Sequence, residues 1–183
     1  MDFSIPNTTN LSIFTMKDSM KKAYMQTAEI FAEQSHAVRA KVGCIIVKDN
    51  RIISIGYNGM PSGWNNTCEN EEIINDVPHM RDDYAKRGYI MHSSADAVIW
   101  KKLTSKPEVL HAEANAITKV AQSNESCKDA VIFCTHLPCI ECAKLIHQAG
   151  IKEVYFREDY NAAKGAGREF LENSNITLEQ IDL

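Results

Sequence analysis

Past residue 110 the chain alternates helix-forming and strand-forming stretches in strict order, and that order leaves few architectures open. Helical periodicity over 112–122 gives way to a β-branched run at 130–135, a helical stretch at 140–148 ended by Gly150, and a short apolar run at 153–156. Strands separated by helices predict a largely parallel α/β sheet with helices on both faces. A weaker helix at 168–172 and a strand at 176–178 extend the pattern. The first half enters differently. Met20, Ala23, Tyr24, Thr27, Ile30 and Phe31 recur at three- and four-residue intervals and predict an amphipathic helix over 16–34 with one core face. The runs at 43–48 and 51–57, parted by Asp49-Asn50, predict a tight antiparallel hairpin.

After the hairpin, Gly56-Tyr57-Asn58-Gly59-Met60-Pro61-Ser62-Gly63 is too rich in breakers for regular structure and predicts a shaped loop. Residues 64–110 mix asparagines and acidic clusters around one candidate helix at 94–103. We read that stretch as an elaboration of a single domain, 1–183, whose core spans about 15–160, because no repeat, linker or low-complexity tract divides the sequence. A chain of 183 residues buries about 70% of its unfolded surface and folds without a structural metal or disulfides. Any metal site is then expected to be chemical. Twenty basic against 24 acidic residues leave a net charge of −4, which argues against broad capture of nucleic acid or an acidic membrane and favours a small substrate. Aliphatic runs such as 44–47 are far shorter than the roughly 20 residues of a membrane span. Residues 1–13 carry Asp2 and no apolar segment, so no secretory signal is expected. The expected compartment is a reducing cytoplasm, where the six cysteines serve as buried thiols or metal ligands rather than disulfides.

Two short motifs carry chemistry. His111-Ala112-Glu113 opens one predicted helix, and Pro138-Cys139-Ile140-Glu141-Cys142 opens the next. Zinc takes imidazole nitrogen and thiolate sulfur, and a catalytic site uses three protein ligands so that water can fill the fourth place. His111, Cys139 and Cys142 supply such a set. Cysteines three apart on a first helical turn share a face, and the helix N-terminus favours the thiolate form. Pro138 just ahead of that turn matches the preference of proline for helix starts. Glu113, two residues from His111, is placed to shuttle protons without becoming a ligand. Taken alone, a C-x-x-C motif is as readily a redox pair or half of a structural zinc site. Joined in this order, H-x-E and P-C-x-x-C form the signature of the zinc-dependent deaminases. There, zinc lowers the pKa of water toward about 7, the resulting hydroxide attacks a ring carbon bearing an amine, and ammonia leaves.

Four blocks extend the likeness: Val42-Gly43-Cys44-Ile45-Ile46-Val47, the 56–63 loop, His111-Ala112-Glu113-Ala114-Asn115-Ala116-Ile117, and Pro138-Cys139-Ile140-Glu141-Cys142-Ala143-Lys144-Leu145-Ile146. Over about 15–160 the sequence resembles the deoxycytidylate (dCMP) deaminases of the cytidine deaminase superfamily. The resemblance implies a three-layer α/β/α fold with a mixed five-stranded sheet, zinc on His111, Cys139 and Cys142, and Glu113 as the catalytic proton carrier. It implies nucleotide contacts from Asn58, Asn115 and Tyr160, although Asn58 could equally hold its own loop and Tyr160 could be ordinary packing. It further implies a homohexamer activated by dCTP with Mg2+ and inhibited by dTTP. Gly59, Gly63, Trp64 and Asn65 are the effector-binding candidates, beside the alternative that the glycines only shape a connection.

Some members of the family hold a second, structural zinc; here Ala37 stands where a cysteine is usual, which leaves His36, Cys68, His79 and His92 as candidates at irregular spacing. Cys44 and Cys134 read as small buried hydrophobes, and His136 and His147 as structural or surface histidines. Arg39, Lys41, Arg81, Arg87, Lys164 and Arg168 are all candidates for the substrate phosphate. The competing functions are a related zinc deaminase acting on cytidine, guanine or tRNA adenosine, and a zinc-stabilised binding module without activity. The net charge disfavours tRNA, and a module would close its metal with a fourth protein ligand and leave Glu113 unexplained.

Overall fold

The computed structural model describes residues 16–94, 97–160, 165 and 167–183. Its elements run α1 (Asp18–Ala32), β1 (Gly43–Lys48), β2 (Arg51–Tyr57), β3 (Glu69–Asn75), α2 (Arg81–Lys86), β4 (Ile90–Ser93), β5 (Val98–Ser105), α3 (Ala112–Ala121), β6 (Val131–His136), α4 (Ile140–Gln148), β7 (Glu153–Glu158), α5 (Arg168–Asn173) and β8 (Thr177–Gln180). Lys164, one of the candidate phosphate cations, lies outside the described residues.

The alternating half gives three parallel strands, β6, β7 and β8, linked by α4 and α5. The hairpin joins that group antiparallel through β1, so the main sheet is mixed, in the order β2-β1-β6-β7-β8. Asp49 and Asn50 both take positive φ, 50° and 58°, the two-residue geometry whose twist matches paired strands. Cys44 and Ile46 face one side of the sheet with Ile132 and Cys134, and Ile45 and Val47 face the other with Phe133. Both sides are covered, which is why β1 and β6 read as continuous apolar runs rather than alternating ones. On one face α1 packs Tyr24, Met25 and Ala28 against Phe133, whose ring stacks on Tyr155 at 4.8 Å. On the other, α3, α4 and α5 bury Ala112, Ala116, Val120, Ala143, Ile146 and Leu171.

One contact sets where α3 begins. A Cβ on Gly56 would stand 2.1 Å from the Ala112 carbonyl oxygen and 2.8 Å from the Ala116 nitrogen, so only a glycine lets the first turn of α3 rest directly on β2. Ser54 Oγ fastens the same contact by donating to the Ala116 carbonyl at 2.7 Å.

β3, β5 and β4 form a second, antiparallel sheet in that order. The helix expected over 94–103 is therefore corrected: from Val98 the chain is a central strand, and Ser94 and Ala97 close the turn that leads into it. Val98, Ile99 and Trp100 are β-branched and aromatic residues that favour a pleated surface, and partners on both sides satisfy the backbone of β5. Trp100 packs with Tyr84 and Tyr89, and its indole N–H donates to Asp76 Oδ1 at 2.8 Å while Arg81 grips the same carboxylate. Glu69 ties this sheet to the main body by accepting from the backbone N–H groups of Val38 and Arg39. Among the described residues no helix is long and apolar enough to cross a membrane.

Candidate active site

His111 is the N-cap of α3 and Cys139 the N-cap of α4, so both motifs stand at helix starts. Cys139 follows β6 after a buried Leu137-Pro138 turn, at the carboxyl end of a parallel strand, where open α/β sheets place their ligands. His111 Nδ1 lies 3.6 Å from Cys139 Sγ and 3.4 Å from Cys142 Sγ. A tetrahedral zinc, with bonds of about 2.1 Å to nitrogen and about 2.3 Å to sulfur, holds such ligands roughly 3.6 Å apart. The three side chains fit that ion in both chemistry and spacing. Among the described residues they are the sole cluster of this kind; His36, Cys68, His79 and His92 form no second one, and the Cys68 thiol donates to the Asn66 carbonyl instead.

The electrostatics follow from the crowding. The hydrogen bond from Cys142, with His111 beside it, holds the Cys139 thiol down to about 3, and the same bond together with burial pushes Cys142 up. The pair therefore gives up one proton readily, as a thiolate ligand must. Glu113, in the first turn of α3, is buried, and that burial pushes its carboxyl up; His111, Cys139 and Cys142 all lie within its electrostatic reach. Beneath them Cys44 and Cys134 are fully buried with their sulfurs 3.7 Å apart, and burial raises both thiols. They are core residues, as expected from the sequence.

The asparagines anchor backbone. Asn58 Oδ1 accepts from the Val42 N–H at 2.8 Å and Nδ2 donates to the Ala40 carbonyl at 2.9 Å. That leaves one amide hydrogen and one lone pair of Asn58 for a ligand. Asn115 Nδ2 donates to the Tyr57 carbonyl at 2.8 Å, tying α3 to the end of β2. Tyr160 is 38% exposed and meets His136 edge to face at 5.9 Å; His136 also contacts Thr135 and Glu158. His147 lies in the last turn of α4 against Phe170.

The loop after β2 is joined to the site directly. Gly59 and Leu110 exchange two backbone hydrogen bonds, of 3.1 and 2.9 Å, one residue ahead of His111. Pro61 to Trp64 form a turn with Gly63 at φ 85°, and Asn65 Oδ1 caps Thr67. Trp64, 57% exposed, and Asn65 line a groove of about 380 Å³ with Met60, Asn70, Lys106 and Glu108. Lys106 is a cation that the sequence reading missed; it stands outside every motif, and only the folded course of the chain brings it to the loop. Of the other candidate cations, Arg81 is held by Asp76, Arg87 lies by Asp83, Arg168 by Asp159, and Arg39 donates to Ser105. Lys41 Nζ donates to the Glu33 carbonyl.

The mixed five-stranded sheet and the zinc-binding region carried by these helix starts match the cytidine deaminase-like superfamily. Within it the chain belongs to the deoxycytidylate deaminase family. Residues 18–158 match the model of the cytidine and deoxycytidylate deaminase zinc-binding region. The chain is 34% identical over 169 residues to the deoxycytidylate deaminase of Enterobacteria phage T4, covering 86% of this chain and 87% of that one. It is 35% identical over 144 residues to the human deoxycytidylate deaminase, covering 74% and 63% respectively. The crystal structure of dCMP deaminase from the cyanophage S-TIM5 in complex with dCMP and dUMP superposes with a TM-score of 0.69 at 36% identity, covering 91% of this chain and 99% of that one.

Proposed function

We propose that this chain catalyses the zinc-dependent hydrolytic deamination of dCMP to dUMP and ammonia. The observation that carries the reading is the His111, Cys139 and Cys142 cluster with buried Glu113 beside it, in a chain similar to a dCMP deaminase solved with dCMP and dUMP. Zinc on those three residues supplies the Lewis acidity that makes water a nucleophile near neutral pH. Glu113 takes the proton of the attacking water on its carboxylate and delivers it to the pyrimidine ring nitrogen. Once the carbon–oxygen bond has formed, Glu113 takes the remaining proton of that hydroxyl and passes it to the amine, so that the carbon–nitrogen bond breaks, ammonia leaves and the ring carbon becomes a carbonyl. Its burial suits that relay, because a carboxyl whose proton affinity is raised takes a proton more readily than an exposed one. Asn58, Asn115 and Tyr160 hold the nucleotide, the asparagines from amides already fixed by backbone hydrogen bonds.

Regulation belongs to the same reading. dCTP with Mg2+ activates and dTTP inhibits, bound at the 59–65 loop of a cytoplasmic homohexamer. The groove beside Trp64 and Asn65, with Lys106 for a phosphate, supports this, as do the two hydrogen bonds that couple Gly59 to the residue before His111. One assay panel tests the whole. Zinc-loaded protein is given dCMP, CMP, deoxycytidine, dCTP, guanine and tRNA, with and without dCTP plus Mg2+ or dTTP, and ammonia release is followed. dCMP is the expected preferred substrate, and preference for another overturns the assignment. An unchanged rate with both triphosphates removes the regulatory part alone.

A further inference from the structure

We propose that Gly167 and the carbonyl of Gly165 are positioning groups for the metal-ligand turn, fixing where the Cys139 sulfur stands. The Gly167 N–H donates to the Pro138 carbonyl at 2.9 Å, and the Ile140 N–H donates to the Gly165 carbonyl at 3.1 Å. Cys139 lies between the two tied peptides, so the carbonyl before it is held by Gly167 and the N–H after it by Gly165. Gly167 is itself rooted in α5, whose Leu171 N–H donates to its carbonyl at 2.9 Å, and Leu171 is fully buried. The fit at Gly167 leaves no room for a side chain. A Cβ there would stand 2.7 Å from both the Pro138 oxygen and Ala143 Cβ, and 3.0 Å from the Cys139 oxygen. Two of those three atoms are backbone of the ligand turn, so a side chain at Gly167 must part that turn from the start of α5. Groups that orient metal ligands from behind typically change metal affinity by roughly 10- to 100-fold when removed.

The proposal rests on zinc being held by His111, Cys139 and Cys142, and its test separates the two ideas. Gly167→Ala forces the ligand turn and the start of α5 apart. Ile140→Pro deletes the N–H that donates to Gly165 and exchanges the isoleucine side chain for the proline ring. It does so with little strain, because Ile140 is the first residue of α4 and Cys139 is already extended, with φ −69° and ψ 167°. Ile140→Val keeps the N–H and trims the side chain, and Met25→Ala opens the core on the opposite face of the sheet. Zinc content and the rate of zinc transfer to a chelator are measured well below each variant's unfolding temperature. We expect Gly167→Ala and Ile140→Pro to release zinc roughly 10- to 100-fold faster than the parent, and Ile140→Val and Met25→Ala to release it at the parental rate. Parental release from Ile140→Pro overturns the proposal, even where Gly167→Ala fails to fold. So does release that accelerates in Met25→Ala as much as in Ile140→Pro, since that would track stability alone. A parent protein that takes up no zinc overturns the metal assignment first, and this proposal with it.

Discussion

On the proposed mechanism, Glu113 and the three candidate ligands divide the work in a way that substitution can separate. The carboxyl of Glu113 is buried beside the sulfurs but is outside the ligand cluster. Glu113→Ala is therefore expected to keep one zinc per chain while kcat falls by roughly 100- to 10,000-fold, the usual worth of a general acid and base. Cys139→Ala is expected to lose the metal itself. Elemental analysis of the purified variants beside ammonia release checks both, and an active Glu113→Ala protein would remove Glu113 from the proton path. These residues were legible in the sequence because a metal site needs ligands at fixed short spacings, and helix starts announce themselves locally. The asparagines were less legible. Asn58 ties down the backbone at Ala40 and Val42, a job that depends on where the hairpin folds back, and no spacing rule reports that.

At the scale of elements, close packing and one charge network make separate predictions. Gly56→Ala drives a methyl group into the Ala112 carbonyl, so α3 must lift from β2. Overpacking of this kind costs about 1–3 kcal/mol, and urea unfolding should show that loss together with weaker zinc retention, because α3 carries His111. In the second sheet, Arg81 and then the Trp100 indole hold the Asp76 carboxyl below its ordinary value. A depressed carboxylate contributes stability above its unfolded pKa of about 3.9 and loses it as pH falls through the lower folded value. Trp100 emission, read in a Trp64→Phe background, should hold its buried character down to about pH 4 and shift red only below that. Asp76→Asn should abolish this acid step. That second sheet was the part of the fold hardest to foresee. Lys101 and Lys102 interrupt the apolar period of β5, and Ile90 and Ile73 stay more than half exposed, so no clean two-residue alternation appears. The pairing of β5 with both β3 and β4 decided it. The main sheet was legible for the opposite reason, since both its faces are covered and its central strands β1 and β6 are apolar almost throughout.

The whole molecule places a metal site on top of a core that is complete without it. Ala112, Ala116, Ala143 and Ile146 bury the inner faces of α3 and α4 against the sheet, and the ligand atoms project only from the first turns of those helices. Small metal-dependent domains behave otherwise, because for them metal binding is folding. Here, stripping zinc with a chelator should abolish activity yet leave a cooperative fold. An ion that binds only the native state at 1,000-fold its Kd adds about 4 kcal/mol. A domain of this size shifts by roughly 2–4 °C for each kcal/mol, so the melting temperature should fall by about 10 °C while near-ultraviolet circular dichroism keeps its native shape. Restoring zinc should then recover the full rate without a refolding step. An apo-protein that instead loses its tertiary signal at 25 °C would make the zinc structural, and would mean that the packing around α3 and α4 is too weak to position Glu113 by itself.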